Sequence, residues 1–280
     1  MDADEHVFPD QGSDEEISGY IPLRRFSQIV RIPVSTLRYY DNIGLFKAAY
    51  HAPSGYRYYA PMQIVTVKFI RVLVDCGVPL KEIGRLTKAR APESMTQLLY
   101  NQVLELDHEI ARLSANRTVL NTFANLIVNG ILADESQITV EKLPATPVVM
   151  GERNHYDADG QLFYRAFVQF LQQTPGISLS YPVGGLFDDI ELFAARPSQP
   201  SRFFSIDPAG GDARPAGRYL MGYARGYYGQ IGDLADRLLD FAEQQHLTLT
   251  GPLYHIYLQD EVSVQDPDQY LMQASVRVKS

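Results

Sequence analysis

Apolar residues at three-and-four spacing open the patterned part of the chain. Leu23, Phe26, Ile29 and Val30 make one short amphipathic helix, and Val34, Leu37 and Tyr40 carry a second from Pro33 to Asp41. Two short helices joined by a tight turn predict a helix-turn-helix. Turn formers from Ala52 to Gly55, then alternating tyrosine and arginine up to Tyr59, predict a small β-wing. Pro61 begins another helix, with Ile64, Val67, Ile70, Val72, Leu73 and Val74 as its apolar content. Gly77 and Pro79 break it, and Leu80, Ile83 and Leu86 form one more.

The pattern then changes to a heptad. Leu99, Leu106, Leu113, Leu120 and Ile127 recur every seven residues, and Val103, Ile110 and Ala124 lie four positions after three of them. Arg117 interrupts the second row, and no Pro or Gly occurs from 93 to 129. This predicts a dimerising coiled-coil helix. The alternative is a long amphipathic helix lying on its own domain. After Gly130, β-branched and aromatic content predicts strands at 140–153, 181–193, 218–224, 253–259 and 270–278, with helices at 162–172 and 231–245. Strands flanking one helix occur twice, which hints at an internal duplication. The whole is an α+β multidomain chain: an acidic disordered tail at 1–19, a winged helix-turn-helix at 20–92, a coiled-coil helix at 93–129 and an α+β domain at 130–280.

Charge sharpens this division. The net charge of -8 argues against DNA until it is divided along the chain. Residues 1–19 carry seven acidic side chains and no Lys or Arg, residues 20–92 carry twelve Lys or Arg against three acidic, and residues 93–280 carry thirteen against twenty-three. A basic module sits between an acidic tail and an acidic body, and local charge governs nucleic-acid affinity. Its arginines alternate with tyrosines, which suits contact with phosphate and sugar. No apolar run reaches membrane-spanning length, and the acidic N-terminus is unlike a signal peptide. The single Cys76 forms no internal disulfide and no multi-cysteine metal site; it reads as a small buried hydrophobe. A cytoplasmic location is expected, with no cofactor, no metal and no membrane partner.

Three motifs carry a family resemblance. Leu37-Arg38-Tyr39-Tyr40-Asp41-x-x-Gly44-Leu45, Gly55-Tyr56-Arg57-Tyr58-Tyr59 and Gly77-Val78-Pro79-Leu80-Lys81-Glu82-Ile83 resemble the MerR family of transcription regulators. Gly217-Arg218-Tyr219, Gln245-His246-Leu247 and Gly251-Pro252-Leu253-Tyr254-His255-Ile256-Tyr257 are similar to the GyrI-type effector-binding domain of its multidrug-sensing branch. The resemblance implies a homodimer on promoter DNA whose recognition elements are separated by an overlong spacer. A small aromatic or hydrophobic effector makes the protein distort that spacer, so RNA polymerase is engaged only through the promoter.

Site residues follow from motif and resemblance together. Arg24, Arg25, Arg38, Tyr39, Tyr40, Arg57 and Tyr58 are expected at DNA, with Tyr39 the stronger of its pair because Tyr40 continues the apolar face. Tyr164, Phe167, Phe187, Tyr219, Tyr223, Tyr254, His255, Tyr257, Tyr270 and Gln273 are expected at the ligand; about half of the domain's aromatics are ordinary core. Cation-binding relatives have glutamates where this chain has His255 and Gln273. Glu152, Asp188, Asp189 or Glu191 are the candidate replacements. No catalytic residue is expected. The rival readings are a GyrI-like hydrolase fused to a DNA-binding module and a repressor that needs no ligand.

Overall fold

The computed structural model describes residues 19–89, 91–156, 162–173, 181–208 and 210–279. Apart from Gly19, the expected acidic tail lies outside them. The chain divides into two compact units, Met1–Arg112 and Leu113–Ser280.

The first unit runs β1 (Ile21–Pro22), α1 (Leu23–Val30), α2 (Val34–Asn42), β2 (Tyr50–His51), β3 (Arg57–Tyr59), α3 (Gln63–Asp75), α4 (Leu80–Ala89) and the first part of α5 (Pro92–Leu132). Its three strands pair antiparallel in the order β1-β3-β2. Tyr59 lies in the middle strand and stacks on Phe26 of α1 at 4.3 Å and on Phe46 at 5.5 Å between ring centroids. This stack clamps the wing onto the helices, and Leu23, Leu37, Ile70 and Ile83 close the same core. After α2, Gly44 turns the chain at φ +70°, a conformation that favours glycine.

The second unit is an eight-stranded antiparallel sheet with helices on one face. Its strands are β4 (Thr139–Leu143), β5 (Thr146–Arg153), β6 (Val183–Phe187), β7 (Arg202–Ile206), β8 (Asp212–Arg214), β9 (Gly217–Arg225), β10 (Leu249–Gln259) and β11 (Leu271–Val278). The helices are α6 (Leu162–Gln173), α7 (Ile190–Ala195) and α8 (Leu234–Gln244). The strand order β4-β9-β11-β10-β6-β7-β5-β8 reads as two βαββ repeats, β5-α6-β6-β7 and β9-α8-β10-β11, meeting at β10 and β6. Each repeat contributes its strands in mirrored order, so the duplication hinted at in the sequence is present in the topology. The strand preceding each repeat, β4 or β8, pairs with the first strand of the other.

Alternation gives the two faces different contents. Leu220, Leu253, Met272, Ala274 and Val276 pack with Leu234 and Leu238 of α8. Phe170 of α6 packs on Phe203 on that same face. Tyr219, Met221, Tyr254, Phe204 and Leu186 point to the other face. There the end of α5 arrives, with Leu126 beside Ile256, Leu258 and Leu271.

Two expected strands are corrected, and two further strands were not expected. The single strand expected at 140–153 is two strands, because Pro144 interrupts the run and has no amide proton to donate. The strand expected at 181–193 stops at Phe187; Asp189 then caps α7 by accepting the Leu192 amide at 2.7 Å. Strands β7 and β8 had no sequence forecast: Phe203 and Phe204 bury on both faces, so β7 shows no alternation.

The repeat junction has no spare volume. A Cβ on Gly184 would lie 2.4 Å from the Phe204 ring and 2.5 Å from the His255 carbonyl oxygen. Gly184→Ala is expected to destabilise the second unit by about 1–3 kcal/mol, read as a lower unfolding midpoint in denaturant. An unchanged midpoint would mean that β6 and β10 are not in this close register.

Candidate nucleic-acid interface and ligand cleft

Helix α2 presents Ser35, Arg38 and Tyr39 outward while Leu37, Tyr40 and Asp41 face the core. Tyr39 is 51% exposed and Tyr40 4%. Beside it, α4 turns Lys81, Arg85 and Lys88 outward on one face. A cleft of about 520 Å³ between the two helices is lined by Tyr39, Ile43, Leu45, Lys81, Arg85 and Lys88. Three cations and a tyrosine around one groove fit a phosphate-bearing backbone. The sequence reading missed these α4 cations, although their spacing places them on one helix face. Arg24 and Arg25 are exposed on α1.

Three of the expected DNA residues are placed differently. Tyr58 is fully buried and packs in the wing with Ala52. Tyr40 is core, as continuation of the Leu37 face demands. Arg57 is turned inward: its Nε donates to Asp41 Oδ2 at 2.6 Å, and its Nη2 to Asn42 Oδ1 at 3.0 Å. The Ala48 amide also donates to Asp41, at 3.0 Å, and His51 Nε2 lies 3.0 Å away. Burial alone would raise the Asp41 pKa. The His51, Arg57 and Ala48 interactions outweigh it and hold the carboxyl below its ordinary range. The wing is thus fastened to the end of α2 through one buried carboxylate.

The expected ligand residues separate by face. Tyr219, Tyr223, Tyr254 and Gln273 lie on the face that receives α5, where Gln273 Nε2 donates to Tyr223 Oη at 3.4 Å. Phe187, His255, Tyr257 and Tyr270 lie in or against the helix-covered core and depart from the expectation. Phe167 packs edge-on to Phe203 in the α6 core, and Tyr164 is 73% exposed. His255 sits among Phe187, Phe193 and Tyr257, its Nδ1 without a partner, and burial pushes its pKa down to about 4. The candidate replacement carboxylates have other positions. Asp188 is held by Arg153 through two hydrogen bonds at 2.7 and 2.9 Å, Asp189 caps α7, and Glu152 and Glu191 are exposed.

The sequence pattern of the MerR HTH family regulatory proteins matches residues 22–90. An uncharacterised HTH-type transcriptional regulator of Pseudomonas aeruginosa is 36% identical over 89 residues, which cover 30% of this chain and 67% of that protein. The chain belongs to the MerR family. Along nearly its whole length this MerR-family chain is similar to the multidrug-efflux transporter 2 regulator of Bacillus subtilis, at 27% identity over 95% of this chain and 98% of that protein. A cryo-electron microscopy structure of an EcmrR–DNA complex in EcmrR-RPo aligns with 92% of this chain and 99% of its own, at 20% identity and a TM-score of 0.38. Among the described residues no helix is long and apolar enough to cross a membrane.

Asp41→Asn is expected to cost about 1–3 kcal/mol in the first unit, because Arg57 and His51 lose their anion. The check is a denaturant melt of the full chain, and a cost near zero would mean that the wing is held by the aromatic stack alone. His255 gives a separate pH signature. Its folded pKa lies below the ordinary 6.5, so the unfolded chain takes up a proton first as pH falls. Stability in the second unit is expected to drop between about pH 6.5 and pH 4, by up to about 3 kcal/mol. His255→Phe removes that slope; a slope that persists in the variant would assign it to other groups.

Proposed function

We propose that the chain is a ligand-responsive transcription activator. It binds promoter DNA as a homodimer through α2 and the basic groove between α2 and α4, and distorts an overlong spacer when a small molecule enters a GyrI-like C-terminal domain. The observation that carries this reading is the shared sheet face in the second unit. A cleft lined by Pro215, Tyr219, Thr250, Pro252, Tyr254 and Arg277 shares that face with the docked end of α5, so a ligand there acts on the helix that joins this unit to the DNA-binding module. The relatives are transcription regulators, and a regulator of chromosomal genes works in the cytoplasm.

A second copy of the chain supplies what α5 lacks. Leu99, Leu106, Leu113 and Leu120 are 37%, 40%, 52% and 70% exposed, a heptad row open to solvent. An apolar seam of this length is buried by an identical helix in a coiled coil. The basic groove beside α2 then occurs twice, matching two half-sites.

DNA contact is tested with a duplex selected by the full chain from a random-sequence pool. Arg38→Ala and Arg85→Ala are each expected to weaken binding, and the Arg85 variant to reduce the salt slope of log K by about one. Tyr58→Phe is expected to leave affinity unchanged. Fluorescence anisotropy across a salt series reads all three; full affinity in both arginine variants would move the interface away from the α2–α4 groove.

A further inference from the structure

We propose that the C-terminal domain takes an organic anion, a planar aromatic ring bearing a carboxylate, in the cleft between Tyr219 and Tyr254. The inference rests on the ligand-responsive reading above and adds the charge and size of the ligand. The cleft has a volume of about 220 Å³ and is lined by Pro215, Tyr219, Thr250, Pro252, Tyr254 and Arg277. Sites for drug-sized ligands are about 300–1,000 Å³, so this one suits a single ring. Two tyrosines and two prolines offer the flat apolar surfaces that such a ring packs against.

The charge in this cleft is positive. Arg277 is exposed at its wall, and its side chain has no ion-pair or hydrogen-bond partner among the described residues. Its Nε lies 3.1 Å from where a Cβ on Gly217 would stand, so the missing side chain there leaves the guanidinium its place. A second guanidinium, Arg214, sits 5.3 Å from the Tyr219 ring centroid. Arg214 Nη2 donates to Thr146 Oγ1 at 2.9 Å, but its buried Nε has no partner. Burial lowers its pKa, a sign that its charge is poorly compensated. Both arginines act electrostatically on Tyr219 and Tyr254. The Tyr219 hydroxyl donates to the Pro215 carbonyl at 2.7 Å, which leaves its oxygen free to accept.

Carboxylates that would favour a cation are engaged or at the margin. Asp188 is paired with Arg153, and Glu261 accepts from Tyr228. Glu141 lies opposite Tyr219 on β4, exposed, and accepts from Thr139 Oγ1 at 3.1 Å. One exposed carboxylate on the neighbouring strand faces two guanidiniums, one of them half-buried. A guanidinium fork grips a carboxylate through paired hydrogen bonds, and that geometry rejects an ammonium outright. The lining of the cleft therefore sets one arginine beside two tyrosines and includes no carboxylate.

The test is isothermal titration of the full chain with benzoate, benzamide, benzylammonium and inorganic phosphate. Benzoate is expected to bind at least about tenfold more tightly than the other three, a difference of roughly 1.4 kcal/mol. Arg277→Gln should bring benzoate down to the benzamide level and leave benzamide itself unchanged, while Arg277→Lys falls between. Benzylammonium or benzamide binding as tightly as benzoate would overturn the anion assignment and leave the ligand-responsive reading standing. Phosphate matching benzoate would overturn the aromatic part. Unchanged benzoate affinity in the Arg277→Gln variant would place the anion elsewhere. Heat from none of the four would overturn this inference and leave the broader ligand-responsive reading standing.

Discussion

A β-sheet has two faces, and in this chain α6, α7 and α8 cover only one. The second face must be closed by something else. Tyr219, Met221, Tyr254 and Leu271 point there, and the last turns of α5 settle against part of it through Leu126. The remainder opens as the cleft beside Arg277. The function proposed here depends on this division of one surface between a helix and a small molecule. Two occupants of one face influence each other's free energy, which is all that coupling between sites requires.

The DNA-binding end depends on a different economy of charge. An acidic body and tail surround a module with nine more basic than acidic residues between 20 and 92. Within it, Asp41 converts one of those arginines from a solvent-facing cation into a structural fastener. That leaves Arg38 and the α4 row of Lys81, Arg85 and Lys88 facing outward. Under the proposed function, positioning and contact fall to different arginines, and only the second group is expected to follow counterion release.

Much of the fold was legible in the sequence, because its signals are local. The heptad from Leu99 to Ile127 lies within the 41-residue α5, and the apolar spacings of 23–40 match α1 and α2. The site was less legible. Tyr254 and His255 are neighbours in sequence, and alternation sends them to opposite faces, but nothing local says which face the helices cover. Hence Phe187, His255 and Tyr257 looked like ligand residues and are core. Arg57 presented the same difficulty, since its partner Asp41 lies sixteen residues earlier. Arg214 and Arg277 are sixty-three residues apart, and only the sheet brings both to Tyr219.

Under the proposed function, the face carrying Tyr219 and Tyr254 is coupled through α5 to DNA. Hydrogen–deuterium exchange on the full chain, free and bound to a duplex it selects from a random-sequence pool, tests this without knowledge of the ligand. The account predicts changed protection in the α5 segment 113–132 and in β9, β10 and β11, in addition to residues 20–89. Protection changes confined to residues 20–89 would contradict it.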